Sequence, residues 1–148
     1  MTLAQWIERL EQRIERLFES RQTEGLRIAS DLLALVQDRV QSSGVNYQGS
    51  KFAPYTTQYA KSRRKAGYQT NYVDFTRTGQ LWGNIAPEVT SNSRTKATIT
   101  IQARTQRNID ILRGARAKRG NILRPSPDEI EIVREANRKR ILNVLTDA

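Results

Sequence analysis

The stretch most suggestive of chemistry is YVDFTRTGQLWGNI, residues 72–85, which combines an acid, two threonines and two glycines. It is open to three interpretations: a catalytic loop, a phosphate-binding loop or a structural joint. A phosphate-binding loop is disfavoured, because no Lys-Ser or Lys-Thr pair follows the glycines and no strand leads directly into them. Asp74 is the only acid between Asp38 and Glu88, so it has no second local carboxylate for acid/base catalysis or metal binding.

The residue types of the whole chain narrow the chemistry further. Histidine and cysteine are absent from the 148 residues, which removes the commonest general base, thiolate ligands and disulfides. The acids near the C-terminus offer a candidate metal cluster, but the first two fall in a predicted first helical turn, where negative charge is favourable anyway. These acids are Asp128, Glu129, Glu131 and Glu135. The sequence therefore predicts a protein that is not an enzyme, with no catalytic, cofactor or metal site.

Positive charge is concentrated in the middle of the chain. The formal net charge is +10; residues 42–93 hold 6 basic and 2 acidic groups, and residues 94–124 hold 9 and 1. The basic stretch contains seven candidate contacts: Arg104, Arg107, Arg113, Arg116, Lys118, Arg119 and Arg124. They suit either the phosphates of double-stranded DNA or ion pairs between subunits, and charge alone leaves both open. No aromatic residue lies in 94–124, which argues against stacking on single-stranded bases.

Two amphipathic runs begin the chain, and they predict one long bent helix or two helices in series. Gly25 lies between the runs, Thr23 is a candidate cap, and Ser42-Ser43-Gly44 ends the region. The first run has apolar residues at three- and four-residue spacing: Leu3, Trp6, Ile7, Leu10, Ile14, Leu17 and Phe18. The second run has apolar residues at the same spacing: Leu26, Ala29, Leu32, Leu33, Val36 and Val40.

The middle of the chain predicts a short helix capped by Thr56 or Thr57, then a helical turn that ends before Pro87. Period-two alternation in 97–103 predicts a strand, paired in a hairpin with residues around Val89 through the turn 91–94. A basic, loosely helical segment ends at Gly120.

The sequence Ser126-Pro127-Asp128-Glu129 predicts the start of a last helix, since it combines a capping serine, a proline and a capping-box glutamate. An apolar face follows on that helix: Ile130, Val133, Ile141, Val144 and Leu145. The predicted fold is α+β, with the N-terminal helix or helix pair and the C-terminal helix packed on a small antiparallel sheet. Residues 1–148 form one predicted domain, divided into a helical region (1–42), a central region (43–124) and the last helix (125–148).

Within residues 72–85 the prediction is structural. Asp74 is expected to pair with a nearby base such as Arg77, or to accept backbone hydrogen bonds at a turn. Thr78-Gly79 is interpreted as a cap followed by a close backbone approach. Three apolar residues are expected to point into the core or an interface: Leu81, Trp82 and Ile85.

The order of these features carries a family resemblance. Phe52-Ala53-Pro54-Tyr55 precedes a helix that reads YAKSRRKAG, and the stretch 73–85, a hairpin and Ile122-Leu123-Arg124-Pro125 then follow in turn. Over residues 45–135 this order resembles the virion-morphogenesis and tail-completion proteins at the neck of tailed bacteriophages. Thr78-Gly79-Gln80-Leu81 is its most recognisable part, whereas Asn84 stands where that family usually has serine.

The resemblance implies a structural protein that forms a closed ring, a hexamer or dodecamer, between the portal of the head and the tail. Its partners would be copies of itself and other neck, portal or tail proteins, with non-specific contact to DNA in a channel and no membrane. It would be assembled in the cytoplasm of the host bacterium and reside in the virion, as a connector, tail-completion or tail-terminator protein. Residues 72–85 would then be a structural joint. The alternative is a small basic protein that binds double-stranded DNA.

Overall fold

The computed structural model describes residues 2–19, 21–93 and 96–146. These residues form the predicted α+β fold, with six helices and a two-stranded antiparallel sheet. In chain order the elements are α1 (Leu3–Glu19), α2 (Arg21–Ser43), α3 (Thr57–Lys65), α4 (Gln80–Asn84), β1 (Ile85–Asn92), β2 (Ala97–Ala103), α5 (Gln106–Arg119) and α6 (Pro127–Thr146). None of the helices in this part of the chain has the length and apolar character needed to cross a membrane.

The N-terminal region contains the helices α1 and α2, and Ser20 between them lies outside the described residues. The predicted boundary between them was wrong, since Thr23 and Gly25 both lie inside α2. Gly25 faces the sheet, and a Cβ atom at this position would lie 2.9 Å from Ile99 Cγ1 on β2. Glycine therefore lets α2 approach β2 closely. The end of α2 at Ser43 is as predicted, and Gly44 follows with a φ of 63°.

The hairpin has the predicted partners, with Val89 opposite Ile99. Its first strand begins earlier than predicted, because β1 includes Pro87, which pairs with Ile101. Both strands of a two-stranded sheet are edge strands, where the missing N–H of proline is tolerated. Ser91 belongs to β1, and Arg94 in the predicted turn lies outside the described residues.

Three predicted helix limits in the later part of the chain are confirmed: the start of α3, the end of α5 and the start of α6. Gly120 follows α5 with a φ of 79°, and α3 has Thr56 as its N-cap. At the start of α6, the Glu129 N–H donates to Ser126 Oγ at 3.2 Å, and the Ser126 N–H donates to Glu129 Oε2 at 2.7 Å. Arg39 on α2 pairs with Glu129 at 2.7 Å, which links the capping box to the second helix.

The core lies between α2, the sheet, α4 and α5. It is formed by buried residues from three helices, both strands and the connecting segments: Val36, Val40, Phe52, Val73, Leu81, Trp82, Ile85, Ala103, Ala115 and Ile122. The helix α2 packs against both strands and α6, and α5 packs against β2. This arrangement leaves α1 at the periphery, where it contacts α2 and α6.

The apolar faces predicted for α1 and α6 are largely open to solvent. On α1, Leu3 is 74% exposed and Trp6 is 45% exposed, and Ile7 and Ile14 are also exposed. On α6 Val133 is buried, but four apolar neighbours are exposed: Ile130, Ile132, Ile141 and Leu142. The side chains of Leu17, Phe18, Val144 and Leu145 lie outside the described residues.

Candidate functional site: the joint and the basic groove

The backbone of residues 72–85 turns at Gly79, which precedes α4 and has a φ of 78°. A Cβ atom at Gly79 would meet nothing within 4 Å, so the predicted close backbone approach was wrong. The glycine is required instead by the left-handed backbone, which other residues adopt at a cost. Thr78 and Gly79 are both exposed, and the Thr78 hydroxyl accepts only a long bond of 3.4 Å from the Gln80 N–H.

The apolar residues that follow are buried, as predicted. Leu81 and Trp82 on α4 and Ile85 at the start of β1 all belong to the core. Trp82 also donates its indole N–H to the Asp74 carbonyl at 3.1 Å, so the ring is held by a hydrogen bond as well as by packing. Because α4 ends at Asn84 and β1 begins at Ile85, this segment takes the chain from helix to sheet without a loop.

Asp74 is the centre of a buried polar network. Its carboxylate pairs with Arg63 at 3.2 Å, and the Tyr55 hydroxyl (2.9 Å), the Gln69 amide (2.6 Å) and the Thr76 N–H (2.9 Å) all donate to it. The turn hydrogen bond was predicted, but Arg77 as the charged partner was wrong. Arg77 is exposed, whereas Arg63 reaches Asp74 from α3.

Arg63 is the most deeply buried charged residue among those described, with 2% of its surface exposed. Besides Asp74, it donates to the carbonyls of Gln69 at 3.0 Å and Thr76 at 2.7 Å. Its guanidinium lies 4.6 Å from the centre of the Tyr55 ring, a cation–π distance. A buried charge is tolerated only when its partners are this complete, so Arg63 fixes α3 to the segment before α4.

The hydroxyl of Tyr55 lies in the same buried network. Burial raises the pKa of its hydroxyl from 10.0 to about 12, and the hydrogen bond to the Asp74 carboxylate and its negative charge also favour the neutral phenol. Tyr55 is therefore a neutral hydrogen-bond donor at physiological pH and is not poised to act as a base.

Asn84 links the joint to the basic stretch. Its side-chain oxygen accepts hydrogen bonds from the Arg104 N–H at 3.0 Å, the Thr105 N–H at 2.9 Å and the Thr105 hydroxyl at 3.2 Å. Thr105 is the N-cap of α5, so one side chain at the end of α4 holds the start of that helix. Asn84 was singled out in the sequence only as a departure from the family pattern.

An open groove of about 890 Å³ lies beside the joint, between α3, residues 73–81 and α5. We call it the basic groove. Its aromatic lining comes from Tyr55, Tyr59, Tyr68 and Phe75. Phe75 has a φ of 53° and packs edge-on against Phe52, with ring centres 5.3 Å apart. A bulky residue in this left-handed region is strained, and such strain persists only where surrounding contacts enforce it.

Five cations line the basic groove, and none of the described lining residues is a carboxylate. They are Arg63, Arg77, Arg107, Lys118 and Arg119. Arg119 is held in place, because it donates to the carbonyls of Ala53 at 3.0 Å and Pro54 at 3.3 Å. Arg77, Arg107 and Lys118 are exposed and have no ion pair with the described residues. The groove therefore combines an aromatic floor with unneutralised positive charge.

The other four residues of the predicted basic set lie outside the groove. Arg104 is 3.5 Å from Glu88, and Arg113 is 3.1 Å from Asp110, both at exposed positions. Arg124 lies over the Tyr47 ring at 4.1 Å. Arg116 is exposed and has no ion pair with the described residues. The structure thus divides the seven residues into three in the groove and four elsewhere.

Sequence reasoning missed the aromatic half of the groove because that half comes from a different part of the chain. The absence of aromatics from 94–124 is a property of the sequence, whereas the folded surface places four aromatic rings next to α5. One local signal was present: Tyr59 and Arg63 are four residues apart on the predicted short helix, a spacing that brings two side chains together on one helix face.

The acids near the C-terminus are engaged in helix contacts. Glu129 caps α6 and pairs with Arg39, while Glu131 pairs with Arg134 at 2.7 Å and Glu135 with Arg138 at 3.7 Å. Within the described ranges, no three acids come together as a metal-binding group.

Comparison with protein-family models, curated proteins and solved structures gives no match to this chain.

Proposed function

We propose that this protein is a structural protein of a tailed-bacteriophage neck, where it forms a ring that joins the portal or head to the tail. The proposal combines the resemblance in residues 45–135 with a surface suited to self-association. It includes no catalysis and no cofactor.

The observation that carries the proposal is the unpartnered apolar face of α1. Leu3, Trp6, Ile7 and Ile14 are all exposed, although their spacing places them on one stripe of the helix. An amphipathic helix obtains most of its stability by burying such a stripe. Contiguous exposed apolar surface of this kind marks a protein–protein contact.

The sheet supports the same proposal. Among the described residues, β1 and β2 pair only with each other along their length, so each strand has an outer edge without a strand partner. Free edges of this kind are templates for pairing with another chain. Repetition of one head-to-tail contact about an axis closes a ring.

The joint provides the third support. The residues that carry the resemblance, Thr78-Gly79-Gln80-Leu81, form the entry to α4 and one anchor of the core. This is the role that the resemblance gives them, a turn from helices into the sheet.

Gel filtration with light scattering on the nuclease-treated protein tests the proposal, in low and high salt and with absorbance at 260 and 280 nm. We expect a nucleic-acid-free particle of six or twelve times the 17.0 kDa subunit mass that survives high salt. Negative-stain microscopy should show it as a ring. A protein that remains monomeric over the whole concentration range would contradict the proposal.

A second candidate function is binding of double-stranded DNA, and the unpaired cations Arg107, Arg116 and Lys118 on α5 favour it. A dedicated binder that makes about 6–10 phosphate contacts loses roughly three to five decades of affinity between 50 and 200 mM salt. A monomer that carries nucleic acid in low salt and releases it in high salt would support this function over the ring.

A further inference from the structure

We propose that α1 of one subunit binds in the basic groove of the next, and that this contact is the repeating interface of the ring. The inference rests on the proposed ring-forming function and names the two surfaces that form its interface. It follows from the chemistry of two unpartnered features, which are complementary to each other and lie on different parts of the molecule.

The first surface is α1, whose charges are separated by sign. At about 100° per residue, the apolar stripe that contains Trp6, Ile7 and Ile14 is bordered on one side by glutamates and on the other by arginines. The glutamate edge contains Glu8, Glu11 and Glu15. The arginine edge contains Arg9, Arg13 and Arg16. The helix therefore presents an apolar stripe with an acidic border.

The second surface is the basic groove. Its floor of tyrosine and phenylalanine rings suits apolar side chains, and Ile111 of α5 adds an exposed aliphatic residue to the lining. Arg77, Arg107 and Lys118 are available for new ion pairs, since none has one with the described residues. A groove of this composition matches an amphipathic helix that inserts apolar anchors and carries carboxylates along one edge.

The placement of the two surfaces makes the contact head-to-tail. The helix α1 contacts α2 and α6, whereas the basic groove is formed by α3, residues 73–81 and α5. Among the described residues of α1, none lines the groove of its own subunit. Each subunit can therefore donate α1 to one neighbour and accept α1 from another, which is the requirement for a ring. Trp6 is the expected main anchor, because tryptophan is enriched among residues that dominate binding energy.

Two variants test this contact. The first, Trp6→Ala with Ile7→Ala, disables the donor helix and keeps the groove. The second, Arg107→Glu with Lys118→Glu, disables the groove and keeps α1. We expect each variant alone to remain monomeric in light scattering. An equimolar mixture should form a 1:1 dimer that does not grow, because it contains one intact helix and one intact groove.

Matched controls keep folding and general charge effects apart from the contact. Arg113→Glu with Arg116→Glu reverses the same charge on the same helix but outside the groove, and Ile132→Ala removes an exposed apolar residue from α6. Both controls should assemble like the parent. Circular dichroism and thermal melting of all variants should show the parental helix content and a similar melting temperature.

The outcomes separate this inference from the proposed function. If the parent forms rings and either contact variant also forms them, the ring stands and the α1–groove contact is wrong. If the groove variant assembles normally but binds DNA at least tenfold more weakly, the groove serves nucleic acid and the inference is overturned. Monomers in the mixture overturn the inference as well. A parent that never assembles overturns both.

Discussion

The Asp74 network and α1 differ in how they accommodate side chains in unfavourable surroundings. The network buries charged side chains, whereas α1 exposes apolar side chains to water. In the network, the chain itself encloses a buried charge pair. Each of the three nitrogens of the Arg63 guanidinium donates a hydrogen bond to another residue of the chain. On α1, apolar side chains that would be stable in a core are left in water. The contacts of the first region lie within the chain itself, whereas the apolar stripe of the second is not covered by the described residues.

This difference predicts how substitutions behave in the dilute monomer. Changes in the network should lower the free energy of unfolding, because the native contacts already exist there. Changes on α1 should leave the monomer stable and act on association alone. The following predictions test that contrast, from the largest effect to the smallest.

Arg63→Met should give the largest loss. It removes the cation and leaves the Asp74 carboxylate buried without its charged partner, which costs about 3–5 kcal/mol of unfolding free energy. Arg64→Met is the matched control, since Arg64 is the next residue on α3 and is exposed. Urea denaturation followed by circular dichroism measures both. Equal losses in the two variants would mean that the network does not hold the joint.

Leu81→Ala should follow, because it deletes a buried side chain from the anchor of α4. The expected loss is about 2–5 kcal/mol, as for other large-to-small changes in a core. Leu3→Ala makes the same chemical change at a residue that is 74% exposed, and should stay within about 0.5 kcal/mol of the parent. Both are measured by urea denaturation at a concentration where light scattering shows a monomer. A large loss for Leu3→Ala would mean that α1 is folded onto its own subunit.

The contrast also shows what the sequence can predict. The strand 97–103, the end of α5 at Gly120 and the start of α6 at Ser126 follow from signals within a few residues, and all were predicted. The helix boundary predicted at Gly25 was wrong. Glycine disfavours a helix locally, but here it lies inside α2 because it allows the close approach of Ile99 on β2, a residue far away in the sequence.

The site was less predictable than the fold for the same reason. Leu81, Trp82 and Ile85 could be placed in the core by their apolar character and spacing. The Arg63–Asp74 pair could not, because it depends on how residues 64–73 return the chain to α3 and on the left-handed backbone of Phe75. The basic groove requires three separate segments to meet, and no local pattern contains that information.

Ser126→Ala tests the capping hydrogen bond at the start of α6, a helix that has exposed apolar residues further along. Loss of the hydroxyl that accepts the Glu129 N–H should cost about 0.5–2 kcal/mol. Thr56→Ala removes the cap of α3, where the corresponding bond to the Tyr59 N–H is longer at 3.4 Å, and should cost less. Thermal or urea unfolding of the two variants ranks them. The reverse order would show that the capping box contributes little to α6.

Tyr55→Phe should change the pH dependence of the unfolding free energy. The pKa of Tyr55 rises from 10.0 to about 12 in the folded protein, so the fold favours the neutral phenol. Its contribution to stability is complete below pH 10 and is lost as the pH rises through 12, because the unfolded chain ionises first. The unfolding free energy of the parent should therefore fall more steeply between pH 10 and 12 than that of Tyr55→Phe. Below pH 10 the two curves should run parallel, separated by the lost hydrogen bond to Asp74. Urea denaturation at a series of pH values measures both curves, and the groups common to both proteins cancel in their difference. If the curves remain parallel above pH 10, the Tyr55 hydroxyl is in contact with water and the Asp74 network is more open than these contacts describe.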